Sequence, residues 1–261
     1  MEAQVKRAIE IGLDEICFTD HVDYGVRKDW DEPGPAEEWN GKPKRNVDYP
    51  RYFAELAEMQ ERYGDRITVR RGLELGVQRH TIRRTEELCE RCGGELDFTL
   101  LSVHQVDDRE IHLPRYTADR PQSEYNLDYY EELLAVAKGF DRYSVLAHLD
   151  VMRRYDPAGE YPLEKTRDAV AEILRTVIQK GRGIELNTAS WRYQLEDIQP
   201  RRAIMRLYRD LGGEILTIGS DAHRVEQTGD SLDKARAILR DELGFRYFCT
   251  YEHGKPNFRN L

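Results

Sequence analysis

Apolar residues recur at helical spacing over residues 2–13, where Val5, Ala8, Ile9 and Leu13 share one face. The run Glu15-Ile16-Cys17-Phe18-Thr19 then reads as a short strand, and a polar stretch rich in Gly, Pro and charge follows from about Val22 to Pro50. Beyond it the pattern predicts a helix over 51–63, a strand over 67–73, a helix over 81–91 and a strand over 97–103. A second polar loop reaches about Ser123. A helix over 127–138, a strand over 143–147 and a helix over 163–180 come next. Strand 183–186, helix 201–211, strand 214–219, helix 231–243 and strand 246–250 complete the reading.

Helices alternating with short β-rich runs imply parallel strands joined by helical crossovers, an α/β architecture. No linker separates two compositional halves, and neither an internal repeat nor a low-complexity tract stands out, so one domain over residues 1–261 is expected. The loops at 22–50 and 105–124 are too long to be bare connections, which marks them as functional lids.

Composition narrows the class. Of 261 residues, 39% are apolar and 34% charged; 40 Lys and Arg against 49 Asp and Glu leave a net charge of −9. That balance argues against a general nucleic-acid binder, which needs a basic footprint, while leaving room for a local basic pocket for a small phosphate. No apolar run approaches the ~18 residues of a membrane span. Residues 1–7 carry no apolar leader core, and four cysteines are too few for a disulfide framework. The expectation is a reduced, cytoplasmic protein with no membrane partner.

The candidate chemistry gathers at strand ends. Asp20-His21 follows the first strand, Glu74 the second, and His104 the third. His148 follows the fourth with Asp150 just beyond, Asn187 the fifth, and Ser220-Asp221-Ala222-His223 the sixth. In a parallel barrel these ends share one face, where active sites are built. One strand-end histidine is ordinarily a structural hydrogen-bonding group, but four of the seven histidines at equivalent positions, with carboxylates, point to metal. Cys89-Glu90-Arg91-Cys92 stands alone, without the second pair that a zinc site would need, so it reads as helix packing. Cys17 reads as core. His80, His112 and His253 fall outside the pattern; for His80 a polar role at a helix N-terminus is expected, with support of the metal ligands as the alternative.

Phe18-Thr19-Asp20-His21, Gly72-Leu73-Glu74, Ser102-Val103-His104, Ala147-His148-Leu149-Asp150, Glu185-Leu186-Asn187-Thr188 and Gly219-Ser220-Asp221-Ala222-His223, in this order, resemble the PHP (polymerase and histidinol phosphatase) superfamily. The overall length, and Asn187-Thr188-Ala189 followed by Arg192, look most like its monofunctional histidinol-phosphatase branch. The resemblance runs from Val5 to about Pro256. It implies a distorted (β/α)7 barrel that binds up to three divalent ions (Zn, Mn or Fe) and hydrolyses a small-molecule phosphate ester through a metal-activated hydroxide. For that branch the ester is L-histidinol phosphate, in histidine biosynthesis.

The resemblance has one departure. The family opens with a strand bearing His-x-His, whereas this chain starts in the following helix, so the barrel is expected to lack its first strand. A misassigned start, a truncation and a natural loss each account for this, with a missing N-terminus favoured. By resemblance His21, Glu74, His104, His148, Asp221 and His223 are the metal ligands, and Glu74, His104 and Asp221 are catalytic. Glu74, His104 and His148 form the site expected to be best retained. Strand 246–250 is expected outside the barrel, or patching the gap.

Arginine is the residue for forked contacts to phosphate. Arg153, Arg154, Arg192 and Arg224 all closely follow metal-ligand positions. By resemblance, Arg154 and Arg192 are preferred as substrate contacts, with Arg153 and Arg224 as further candidates. Asp23, Tyr24, Asp48 and Tyr49 are weaker candidates for the amino group and imidazole of the substrate. Two other functions stay open: a PHP phosphoesterase acting on nucleotides, and a non-catalytic metal-binding homologue. The oligomeric state is left open.

Overall fold

The structure is a computed structural model that describes residues 1–39 and 42–261. Residues 40 and 41, in the expected 22–50 loop, lie outside the described residues. Six strands form one curled, all-parallel sheet in chain order: β1 (Glu15–Asp23), β2 (Thr68–Gly76), β3 (Phe98–Ser102), β4 (Val145–Leu146), β5 (Gly183–Asn187) and β6 (Leu216–Gly219). The expected α/β class and parallel neighbours are both found, as a half-barrel whose edges are β1 and β6.

Alternation sorts the side chains onto two faces. Leu73, Leu75, Leu101, Leu146, Ile184, Leu186 and Leu216 point outward and are buried beneath the helices. The helix α1 (Arg167–Gln179) shows why these helices form: Val170, Ile173, Leu174 and Val177 recur at three- and four-residue spacing and are fully buried. Helix α2 (Tyr49–Tyr63), earlier in the chain, starts where Asp48 accepts the Arg51 amide at 3.1 Å, with Pro50 in its first turn.

The opposite, concave face carries Thr19, His21 and Asp23 on β1, paired with Gly72, Glu74 and Gly76 on β2. These face Phe98, Leu100 and Ser102 on β3. Its lower half is covered by a hairpin of β7 (Tyr247–Glu252) and β8 (Lys255–Asn260). Cys249 and Tyr251 pack on Leu100, Val145 and Ala147, and Tyr251 donates to the Ser144 carbonyl at 3.3 Å. The strand expected at 246–250 thus lies outside the main sheet; its partner β8 went unread in the sequence. The upper half of the concave face stays polar.

Several boundaries move. β1 and β2 run four and three residues past the expected ends, because His21, Asp23, Glu74 and Gly76 keep the ladder while turning inward. The strand expected at 143–147 shortens to Val145–Leu146, although Ser144 and Ala147 still donate to Thr99 and Leu101 at 2.9 Å. The helix expected over 163–180 divides at Thr166 into a 3₁₀ turn, Leu163–Lys165, and α1. The helix expected over 231–243 widens into a π-turn at Ile238–Glu242, closed by the Leu243 amide on the Ile238 carbonyl at 3.0 Å.

Candidate metal centre and anion site

Register places the centre. His21 on β1 pairs with Glu74 on β2, and both side chains face the concavity. His104 and His148 follow the ends of β3 and β4. Glu74 is the hub: its Oε1 lies 3.0 Å from His104 Nε2 and 2.9 Å from His148 Nε2, and accepts the Ser102 hydroxyl at 2.8 Å. Its Oε2 lies 3.6 Å from His21 Nε2. The His104 ring is 4.9 Å from that of His21 and 5.4 Å from that of His148.

Donor atoms of His21, Glu74 and His104 all lie within 4.8 Å of one another. The compact triad therefore contains His21 where the sequence reading grouped His148, which instead joins through Glu74. Imidazole nitrogen with carboxylate oxygen, and no thiol, suits zinc, iron or manganese. The Nδ1 atom of His148 is buried without a hydrogen-bond partner, so donor capacity remains for an ion.

Asp23 organises the imidazoles. Its Oδ1 lies 2.7 Å from His104 Nδ1, and its Oδ2 lies 3.5 Å from His21 Nδ1 and 3.1 Å from Arg27 Nε. A carboxylate on Nδ1 turns Nε2 toward Glu74, the arrangement typical of metal-binding histidine. Gly76 makes room: a Cβ there would stand 1.9 Å from Asp23 Oδ1. Glu185 has a similar place at the far side, accepting the His148 amide and Asn187 Nδ2, each at 3.1 Å. Gly219 clears space for it, since a Cβ would stand 2.1 Å from Glu185 Oε1.

The electrostatics follow from burial and pairing. Burial disfavours the cation on His104, but Asp23 and Glu74 outweigh it and raise the imidazole to about 10. His21 is raised for the same reason, against its burial, by Glu74 and Asp23. Burial wins at His148, whose pKa is lowered. Burial would raise Glu74, yet His21, His104 and His148 hold it well below the usual carboxylate range. Glu185 has no such partner; burial, then Asp221, push it up to about 7.

Arginines meet at Asp221. Arg154 donates from Nη1 to Asp221 Oδ2 at 2.8 Å, from Nη2 to Asn187 Oδ1 at 2.9 Å and from Nε to Gln199 Oε1 at 2.6 Å. Three of its five N–H donors are thereby used and two remain. Its guanidinium lies 4.7 Å from the Tyr193 ring centre. Arg192 Nη2 donates to the Asp221 carbonyl at 2.7 Å, while its buried Nη1 makes no hydrogen bond and lies 3.5 Å from Asp230 Oδ2 in an ion pair. His223 is mostly exposed, with its ring 5.7 Å from that of His21.

Other candidates stand apart. Arg153 is buried against Asp150, Glu160 and the Ile198 carbonyl, which use its guanidinium in a structural ion-pair network. Arg224 is exposed; its amide and that of His223 donate to Gln227 Oε1. Asp48 caps α2, and Tyr24 and Tyr49 donate to Asp29, so these three are scaffold. Asp23 belongs to the histidines. His80, on the 3₁₀ turn preceding the 82–92 helix, faces Asp108 at 3.1 Å, and Cys89 and Cys92 are buried free thiols on that helix. The sequence reading assigned no metal-site role to Asp23 or Glu185. Their signal was period two: each shares a strand face with His21 or Asn187, two residues away.

A family model described as PHP domain matches residues 1–189. The histidinol-phosphatase of Lactococcus lactis is 28% identical over 253 residues, covering 95% of this chain and 86% of its own. Among solved structures, the Lactococcus lactis histidinol phosphate phosphatase complexed with zinc, L-histidinol and phosphate superposes with a TM-score of 0.80 at 26% identity, covering 98% of this chain and 92% of that one. A Listeria monocytogenes structure shares the fold at a TM-score of 0.71 and 19% identity, covering 89% of this chain and 92% of that one. No helix among the described residues is long and apolar enough to cross a membrane.

Proposed function

The chain belongs to the PHP domain family, and from that premise we propose that it is a metal-dependent phosphomonoester hydrolase acting on L-histidinol phosphate. The observation that carries this reading is the placement of two arginines at Asp221, beside a cluster of histidines and a buried glutamate. The related Lactococcus lactis protein, complexed with zinc, L-histidinol and phosphate, supports both the ligand class and the metal.

His21, Glu74 and His104 would hold a divalent ion, with His148, Asp221 and His223 as further donors. A divalent metal, when bound, supplies Lewis acidity that polarises phosphoryl oxygens and acidifies water. The chain's own residues set up the rest. Asp23 takes the Nδ1 side of His104 and leaves Nε2 toward Glu74. The remaining donors of Arg154 and Arg192 offer forked hydrogen bonds to phosphate oxygens, and these strengthen as charge builds up on them. Asn187 and Gln199 fix the plane of the Arg154 fork.

Phosphate release from L-histidinol phosphate, compared with nucleotides and simple alkyl phosphates in the presence of zinc or manganese, tests the reading. Preferred turnover of L-histidinol phosphate that disappears on chelation is expected. Preference for a nucleotide, or release that is insensitive to chelation, would contradict it.

A further inference from the structure

The segment between β1 and α2 closes on a buried carboxylate outside the metal cluster. Asp29 Oδ1 accepts Asn46 Nδ2 at 3.0 Å and the Tyr49 hydroxyl at 3.1 Å. Its Oδ2 accepts the Tyr24 hydroxyl and Arg84 Nη2, each at 3.3 Å. Asn46, 3% exposed, reaches the other way to β1, where its Oδ1 accepts the Asp23 amide at 2.8 Å. The orientation of the Asn46 amide is dictated by its neighbours: a carboxylate only accepts, so the NH₂ faces Asp29 and the oxygen faces the backbone N–H.

Asp23 is the last residue of β1, and β1 is an edge of the sheet. The end of an edge strand frays unless something holds it. Here Asn46 holds the Asp23 amide, alongside Arg27, whose amide donates to the Asp23 carbonyl at 2.9 Å, and the residue held is the one whose carboxylate contacts His104 and His21. We propose that Asn46 is a positioning residue for the metal ligands His21 and His104, acting through Asp23; the inference rests on the metal reading given above. Asn46 then buttresses the centre from outside the metal cluster. By linkage, an ion bound at the histidines tightens the Asn46–Asp23 contact as much as that contact tightens the ion.

Zinc affinity, measured by competition with a chromogenic chelator, tests this on the wild-type chain, Asn46→Ala and Tyr49→Phe. Asn46→Ala should weaken zinc binding by ~10–100-fold, the range for residues that orient metal ligands. Tyr49→Phe removes a hydrogen bond to the same Asp29 but leaves the Asn46–Asp23 contact in place, so it should bind zinc as wild type does. Unchanged affinity in Asn46→Ala, or equal weakening in both variants, would overturn the proposal. Should Asn46→Ala fail to fold, hydrogen exchange on the wild type replaces it: the Asp23 amide should exchange more slowly with zinc than without, and equal rates would overturn the proposal. A wild-type chain that takes up no zinc would overturn the metal reading and this inference together; zinc uptake unaffected by Asn46→Ala would overturn this inference alone.

Discussion

Two adjacent arginines have opposite fates. Arg154 stands over the centre with two N–H donors left, whereas Arg153 is taken up by Asp150, Glu160 and Ile198. Replacing Arg154 or Arg192 by Ala should therefore weaken inorganic phosphate as an inhibitor, by about 1.5–3 kcal/mol, the worth of a charge-assisted hydrogen bond. Arg153→Ala should instead lower the melting temperature, because removing one partner of a buried pair costs about 3–5 kcal/mol. Inhibition constants and thermal melts separate the two, and a phosphate effect confined to Arg153→Ala would reverse the assignment.

His104 gives the centre its pH dependence. Burial opposes its cation, but Asp23 and Glu74 raise it to about 10, above its ordinary value near 6.5. Metal requires the neutral ring, so binding displaces a proton and zinc affinity should climb steadily as pH rises from 6 toward 9. In the metal-free protein the same raised pKa stabilises the fold fully below about pH 6.5 and progressively less as pH approaches 10. Chelator-competition titrations across pH check the first effect; a flat profile would contradict it.

At the scale of elements, the hairpin β7–β8 packs over the lower concave face while the upper half keeps its polar residues. Tyr251→Ala should cost about 3–5 kcal/mol by opening a cavity against Leu100 and Val145. Thermal melts should fall while zinc affinity stays unchanged, because the site stands on other strand ends. A loss of zinc without a loss of stability would contradict this division. The six strands and their chemical ends were legible in the sequence because short apolar runs alternate with amphipathic helices. Glu185 lay inside the expected strand 183–186, but its contact with the His148 amide exists only after folding; Asp23 was hard to read because a polar residue following an apolar run resembles the end of a strand. Inside a half-barrel it is still strand, turned toward the centre. Asn46 and Asp29 gave no local signal, since the bonds that define them span 17 and 23 residues and exist only after folding. The partner β8 was missed because Lys255-Pro256-Asn257 reads as a chain end rather than a strand.

For the whole molecule, a net charge of −9 coexists with a centre that gathers imidazoles and guanidiniums around two buried carboxylates, Asp23 and Glu74, and the partly buried Asp221. The sheet explains how this is achieved: parallel strands bring residues 21, 74, 104, 148, 187 and 221, widely separated in the chain, to one end of one concave face. The central claim is that this end of the sheet holds a divalent ion with Glu74 at its hub. Its most direct test is zinc bound per chain after equilibrium dialysis, for the wild type and for Glu74→Ala, with circular dichroism to establish that both are folded. The account predicts at least one zinc on the wild-type chain and a loss of that zinc in the folded variant; equal zinc on both chains, or none on either, would contradict it.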